Sequence, residues 1–114
     1  MSPENTQVLF RSFPRLYRGR DKRLTESLMS SGFECGDGWF ELIRDLSAAL
    51  EQIAHEEARL PDSEQWPDAF QVKEKFGRLR FYIRHGSPAM YRAIDEAQEL
   101  SEQICMMCGA AHPA

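Results

Sequence analysis

Residues 69–84, Ala-Phe-Gln-Val-Lys-Glu-Lys-Phe-Gly-Arg-Leu-Arg-Phe-Tyr-Ile-Arg, constrain the fold more than any other stretch of the chain. Side chains alternate in character on both sides of Phe76-Gly77, the period of a strand and not of a helix. A two-residue turn there lets the glycine supply the positive φ that such turns need. Phe70 then faces Ile83, Val72 faces Phe81 and Glu74 faces Leu79, and five of those six are apolar. The opposite face carries Gln71, Lys73, Lys75, Arg78, Arg80, Tyr82 and Arg84. A single register therefore separates an oily side from a cationic one. An isolated two-stranded ribbon is marginal in water, so helices must cover its apolar face. The expected fold is α+β: a small single domain, with helices on one face of an antiparallel β-hairpin.

The flanking sequence supplies those helices. Trp39, Leu42, Ile43, Leu46, Leu50 and Ile53 recur with helical period, which predicts an amphipathic helix over 37–59, capped by Asp37 and ended by Leu60-Pro61. Ser87-Pro88 reads as a cap followed by proline at the first helical position, opening a helix over 88–104. Residues 1–23 form a basic, helical N-terminal segment interrupted near Pro14, and Leu24, Leu28 and Met29 suggest a further turn begun by Thr25 and stopped by Gly32. Residues 61–68 read as an acidic, proline-containing loop.

The chain has 114 residues, one domain's worth, with no apolar run near the ~20 residues that span a bilayer and no secretory signal pattern. An odd count of three cysteines argues against a disulfide framework and for reduced thiols in the cytoplasm. The net charge of −4 is unevenly laid out. Arg11, Arg15, Arg18, Arg20, Lys22 and Arg23, with Lys73, Lys75, Arg78, Arg80 and Arg84, make up 11 of the 14 cationic residues. Such segregation suits docking on a charged partner or the joining of the molecule's own halves.

Three strings stand out: Gly-Phe-Glu-Cys-Gly-Asp-Gly-Trp-Phe at 32–40, Gln-Val-Lys-Glu-Lys-Phe-Gly-Arg-Leu-Arg-Phe-Tyr-Ile at 71–83, and Ile-Cys-Met-Met-Cys-Gly at 104–109. Together they resemble a family of small uncharacterised bacterial and phage-borne proteins, over roughly residues 25–110. The resemblance lends no activity. It implies an accessory role, for which inhibitor or immunity-type binding is the expectation. In that family the chain continues past the second cysteine with another Cys/His pair, which is not present here.

The last ten residues hold Cys105, Cys108 and His112 as Cys-Met-Met-Cys-Gly-Ala-Ala-His, the spacing of a zinc half-site. Gly109 lets the backbone curl so that amides face the thiolates. A structural zinc needs a fourth ligand, for which Cys35 is the first candidate and His85 the next. The competing reading makes Cys105 a small buried hydrophobe and the rest a loose tail.

No catalytic residues are assigned. Cys35 with Asp37 and a histidine has no spacing that marks a nucleophile. His55 reads as a solvated surface residue, and Trp66 either as an exposed docking aromatic or as a pin holding the 61–68 loop to the core. The expected function is non-enzymatic binding of a protein partner through Lys73, Lys75, Arg78, Arg80, Tyr82 and Arg84. The alternative is a zinc-stabilised nucleic-acid binder, with arginines on phosphates and Tyr82 stacked on a base.

Overall fold

In chain order the elements are α1 (Pro3–Ser12), β1 (Phe33–Glu34), α2 (Phe40–Glu56), β2 (Asp68–Lys75), β3 (Arg78–Arg84) and α3 (Pro88–Ser101). They come from a computed structural model that describes residues 1–23 and 26–111. The fold is α+β, three helices on a three-stranded mixed sheet of order β1-β2-β3.

The alternating stretch forms β2 and β3, antiparallel, with Val72 opposite Phe81 and Glu74 opposite Leu79. Phe76 and Gly77 turn the chain at φ 55° and 79°, both positive as a two-residue I′ hairpin turn demands. Phe70, however, does not face Ile83. A bulge between Ala69 and Gln71 gives that place to Ala69, and the extra residue turns Phe70 out beside Tyr82, ring centroids 5.9 Å apart. Nor is the ribbon two-stranded. β1 lies parallel to β2, pairing Phe33 with Val72 and Glu34 with Lys73, and buries Phe33 in the core.

Local chemistry sets the helix ends. Ser2 caps α1 by accepting from the Asn5 amide, and Pro3 follows. The helix stops at Phe13, because a residue ahead of proline is pushed out of the helical region. The helical N-terminal segment expected over 1–23 is thus confined to α1, followed by turns and a 3₁₀ turn at Arg18–Asp21. The turn expected to begin at Leu24 and Thr25 falls on residues outside those described. Gly32, at φ 76°, closes a 3₁₀ turn over Met29–Ser31.

Asp37 does not cap α2. Its carboxylate accepts from the Ser2 amide at 2.8 Å and the Asn5 side chain at 3.1 Å, tying α1 to the loop that enters α2. A 3₁₀ turn over Asp37–Trp39 leads into α2. The helix ends at Glu56, ahead of the expected 59. Ala58 sits at φ 58°, its amide bonds the His55 carbonyl at 3.0 Å, and the Arg59 amide bonds the Ala54 carbonyl at 2.9 Å. These paired bonds are a Schellman motif, and it satisfies the last carbonyls before Leu60-Pro61 is reached. α3 opens on the Ser87 cap and ends at Ser101, short of the expected 104.

One hydrophobic core gathers Leu9, Leu16, Tyr17, Trp39, Ile43, Leu50, Leu79 and Met90 from every layer. Trp66 belongs to it at 1% exposure, its indole N–H 3.3 Å from the Glu51 carboxylate and its ring edge-on to His55. It is therefore a pin for the 61–68 loop and not a docking aromatic. The Tyr17 and Ser47 hydroxyls share a buried hydrogen bond of 2.6 Å, and burial raises the Tyr17 phenol well above its usual pKa. Among the described residues no helix is long and apolar enough to cross a membrane.

Candidate functional site

Alternation places Lys73, Lys75, Arg78, Arg80, Tyr82 and Arg84 on the sheet face away from the core, where each is half-buried or exposed. Register then sets cation against cation. Lys73 stands between Glu34 of β1 and Arg80 of β3, and Lys75 is the cross-strand partner of Arg78. Like charges directly opposite each other destabilise a sheet. Some of that repulsion is relieved within the molecule. Arg78 reaches Glu102 at 3.4 Å, and Arg84 reaches Asp68 at 3.7 Å while its other nitrogen donates to the Glu26 carbonyl. Among the described residues the Lys73, Lys75 and Arg80 side chains make neither an ion pair nor a hydrogen bond.

The same face carries an aromatic patch. Tyr82 is 38% exposed beside the bulged-out Phe70, and the Arg84 guanidinium lies over the Phe70 ring at 4.6 Å. The sequence alternation assigned Phe70 to the core, so this patch was missed. Phe76 was missed too. At 91% exposure it stands free at the hairpin tip, and its position ahead of Gly77, where Asn or Asp is usual, was the available signal.

Arg15, Arg18 and Arg20 turn to backbone carbonyls and do not extend this face. Arg18 donates to the carbonyls of Arg15, Trp66 and Pro67 at 2.8, 2.8 and 3.1 Å, and desolvation lowers its pKa. Arg15 donates to Pro61 at 2.6 Å, and Arg20 to Pro14 and Tyr17 at 2.9 and 3.0 Å. These guanidinium groups staple the N-terminal turns to one another and to the 61–68 loop through backbone carbonyls.

The C-terminal segment folds back onto the loop that enters α2. The Gly38 amide donates to the Met106 carbonyl at 2.7 Å and the Trp39 indole to the Ile104 carbonyl at 2.9 Å. A Cβ on Gly38 would stand 2.1 Å from the Cys105 carbonyl oxygen, and one on Gly36 would stand 2.4 Å from that of Met106. Glycine is needed at both for this approach. Cys105 and Cys108 come within 3.4 Å of each other, in a turn closed by Gly109 N–H to the Cys105 carbonyl at 2.8 Å. The amide of Cys108, joined by those of Met107 and Gly109, faces the Cys105 sulfur and lowers its pKa. Cys108 also lines a polar cleft with Asp37 and Glu41.

Cys35 is a member of the core, and burial pushes its thiol up to about 11. That shift disfavours the thiolate that a nucleophile or metal ligand requires. Among the described residues no three His, Cys, Asp or Glu side chains converge, so neither Cys35 nor His85 joins Cys105 and Cys108. His85 follows β3 at the opposite end of α3, whose length is about 20 Å at ~1.5 Å per residue. His112 lies outside the described residues. No protein-family model, curated protein or solved structure matches this chain.

Proposed function

We propose that this protein is a non-enzymatic binding module that docks an acidic protein surface on the outer face of its sheet. The observation that carries the reading is the pair of like-charge cross-strand contacts, Lys73 with Arg80 and Lys75 with Arg78. A fold gains nothing from facing cations, whereas a carboxylate-bearing partner converts the repulsion into attraction and speeds encounter. Phe70 and Tyr82 supply the aromatic contact area on which interfaces rely. A protein fits better than nucleic acid, because Arg15, Arg18 and Arg20 are spent on backbone carbonyls and the net charge is −4. In a bacterial or phage-borne accessory factor, such a face suits inhibitor or immunity-type binding.

The amides facing the Cys105 sulfur favour a second feature, a Cys-x2-Cys knuckle that clips the C-terminal segment when zinc is held by Cys105, Cys108 and His112 with a fourth ligand from water or a partner's side chain. Its role is structural, since it braces the loop entering α2.

Affinity capture with wild type and a Lys73→Glu/Arg80→Glu variant tests the docking face. A host protein retained by wild type at low salt and lost by the variant supports it. Retention by both removes the sheet face from the reading. A mobility shift with DNA or RNA that the variant abolishes transfers the face to nucleic acid.

A further inference from the structure

We infer that the hairpin tip of one copy of this protein docks into the groove between α2 and α3 of a second copy. The contact shares Lys75 with the outer sheet face but is anchored by Phe76 and a groove that the proposed function does not use, so different variants test the two. Two independent features point to it.

The first is Phe76. Its φ of 55° lies in the left-handed region, which costs a side chain with a bulky ring and favours Gly, Asn or Asp. A phenyl ring held there and 91% exposed returns nothing to its own fold beyond the Lys75 ammonium 5.7 Å from its centroid. The tip is also held firm. The Glu74 carboxylate accepts from the Gly77 amide at 2.6 Å, and Arg78 is tethered to Glu102. An exposed aromatic on a braced, locally unfavourable turn is an anchor waiting for a pocket.

The second is the groove. Ala49 on α2 and Ala93 on α3 are too short to fill the space between their helices, leaving about 250 Å³ floored also by Leu42 and Leu100. Leu100 is 52% exposed there. Asp45 and Glu96 stand at its rim, and no cationic side chain lines it. Tip and groove therefore match in both respects: a ring for an apolar floor, and the flanking Lys75 for the Glu96 carboxylate, neither of which makes an ion pair among the described residues. Phe76 is too exposed to occupy the groove of its own chain. Reciprocal insertion closes a two-fold dimer, and one-way insertion runs head to tail.

Sedimentation of the purified full chain between micromolar and millimolar concentration tests the contact. Wild type is expected to associate reversibly. Phe76→Asn, which suits the turn backbone, should keep or raise the melting temperature and weaken association by about tenfold or more. Glu96→Lys should weaken it as well. Mixing the two variants restores one good contact, the tip of Glu96→Lys in the groove of Phe76→Asn, and a one-to-one complex should reappear. A wild type that stays monomeric at millimolar concentration overturns the inference and leaves the sheet-face reading untouched. So does association that Phe76→Asn does not weaken, or a mixture that fails to pair. Loss of a different protein on Phe76→Asn, in a chain that never self-associates, assigns the tip to that protein instead.

Discussion

The Ser101 hydroxyl accepts a hydrogen bond of 2.9 Å from the Leu79 amide, and both residues are fully buried. This amide points away from β2, toward the side of β3 where no strand pairs. Gln98 plays the same part for Phe81, its side-chain oxygen 3.1 Å from that amide. α3 thus seals the open edge of the sheet with side chains, which withholds a row of donors from other chains. Replacing Ser101 with alanine strands a buried N–H. The expected loss is about 1–3 kcal/mol in urea unfolding with the slope unchanged.

Ala58 offers the opposite sign. It holds the left-handed position of the Schellman motif that ends α2, at φ 58°, where glycine has no Cβ penalty. Ala58→Gly should stabilise by about 0.5–1 kcal/mol despite the greater freedom it gives the unfolded chain, because a left-handed alanine costs about 1–2 kcal/mol. A raised urea midpoint checks it.

Two arginines that look alike in sequence should behave differently. Arg18 donates to three carbonyls within 3.1 Å and holds the 61–68 loop against the N-terminal turns. Arg18→Ala should cost about 2–3 kcal/mol, the scale of hydrogen bonds to a charged group. Arg80→Ala relieves a like-charge contact and should change stability by less than about 0.5 kcal/mol. Thermal melts of the two variants separate the structural cations from those left for a partner.

Periodicity is why α2, α3 and the hairpin were legible: each repeats its pattern long enough for the period to show. β1 was not, since Phe33-Glu34 is too short to alternate and finds its parallel partner only in three dimensions. Phe70 was misplaced because a bulge adds one residue without leaving a local signature. Asp37 was misread because a cap and a tertiary contact ask for the same carboxylate. The cationic face was readable from the register. That Arg15, Arg18 and Arg20 turn onto backbone carbonyls was not, because carbonyl positions depend on turns that no side-chain pattern encodes.

Burial of Cys35 gives alkaline pH a definite effect. Its thiol titrates at about 11 in the folded chain against about 8.5 when unfolded. The raised value means that the neutral form is favoured by folding. That stability is complete below about pH 8.5 and is lost as pH climbs through about 11. Tyr17, raised by burial as well, adds loss of the same sign at higher pH. Urea unfolding at stepwise pH should show stability falling above about pH 9, and Cys35→Ala should flatten the first part of that fall. Iodoacetamide at neutral pH should modify Cys105, whose pKa is lowered, well before Cys35.

Gly38 joins the two glycine- and cysteine-bearing strings into one structural unit. Its amide bonds the Met106 carbonyl, and its Cα lies where a methyl group would stand 2.1 Å from the Cys105 carbonyl oxygen and 2.6 Å from the Gly109 amide nitrogen. Those neighbours are backbone, so no rotamer change can make room. Gly38→Ala must lift residues 104–109 off the loop, breaking the hydrogen bond between the Trp39 indole and the Ile104 carbonyl. Trp39 is 1% exposed in the closed form, and uncovering it should shift tryptophan emission to the red. Amide exchange at residue 38, whose N–H bonds the Met106 carbonyl, should rise while the β2–β3 amides stay protected. An unchanged emission spectrum and unchanged exchange in Gly38→Ala would show that the C-terminal turn is not held by this loop.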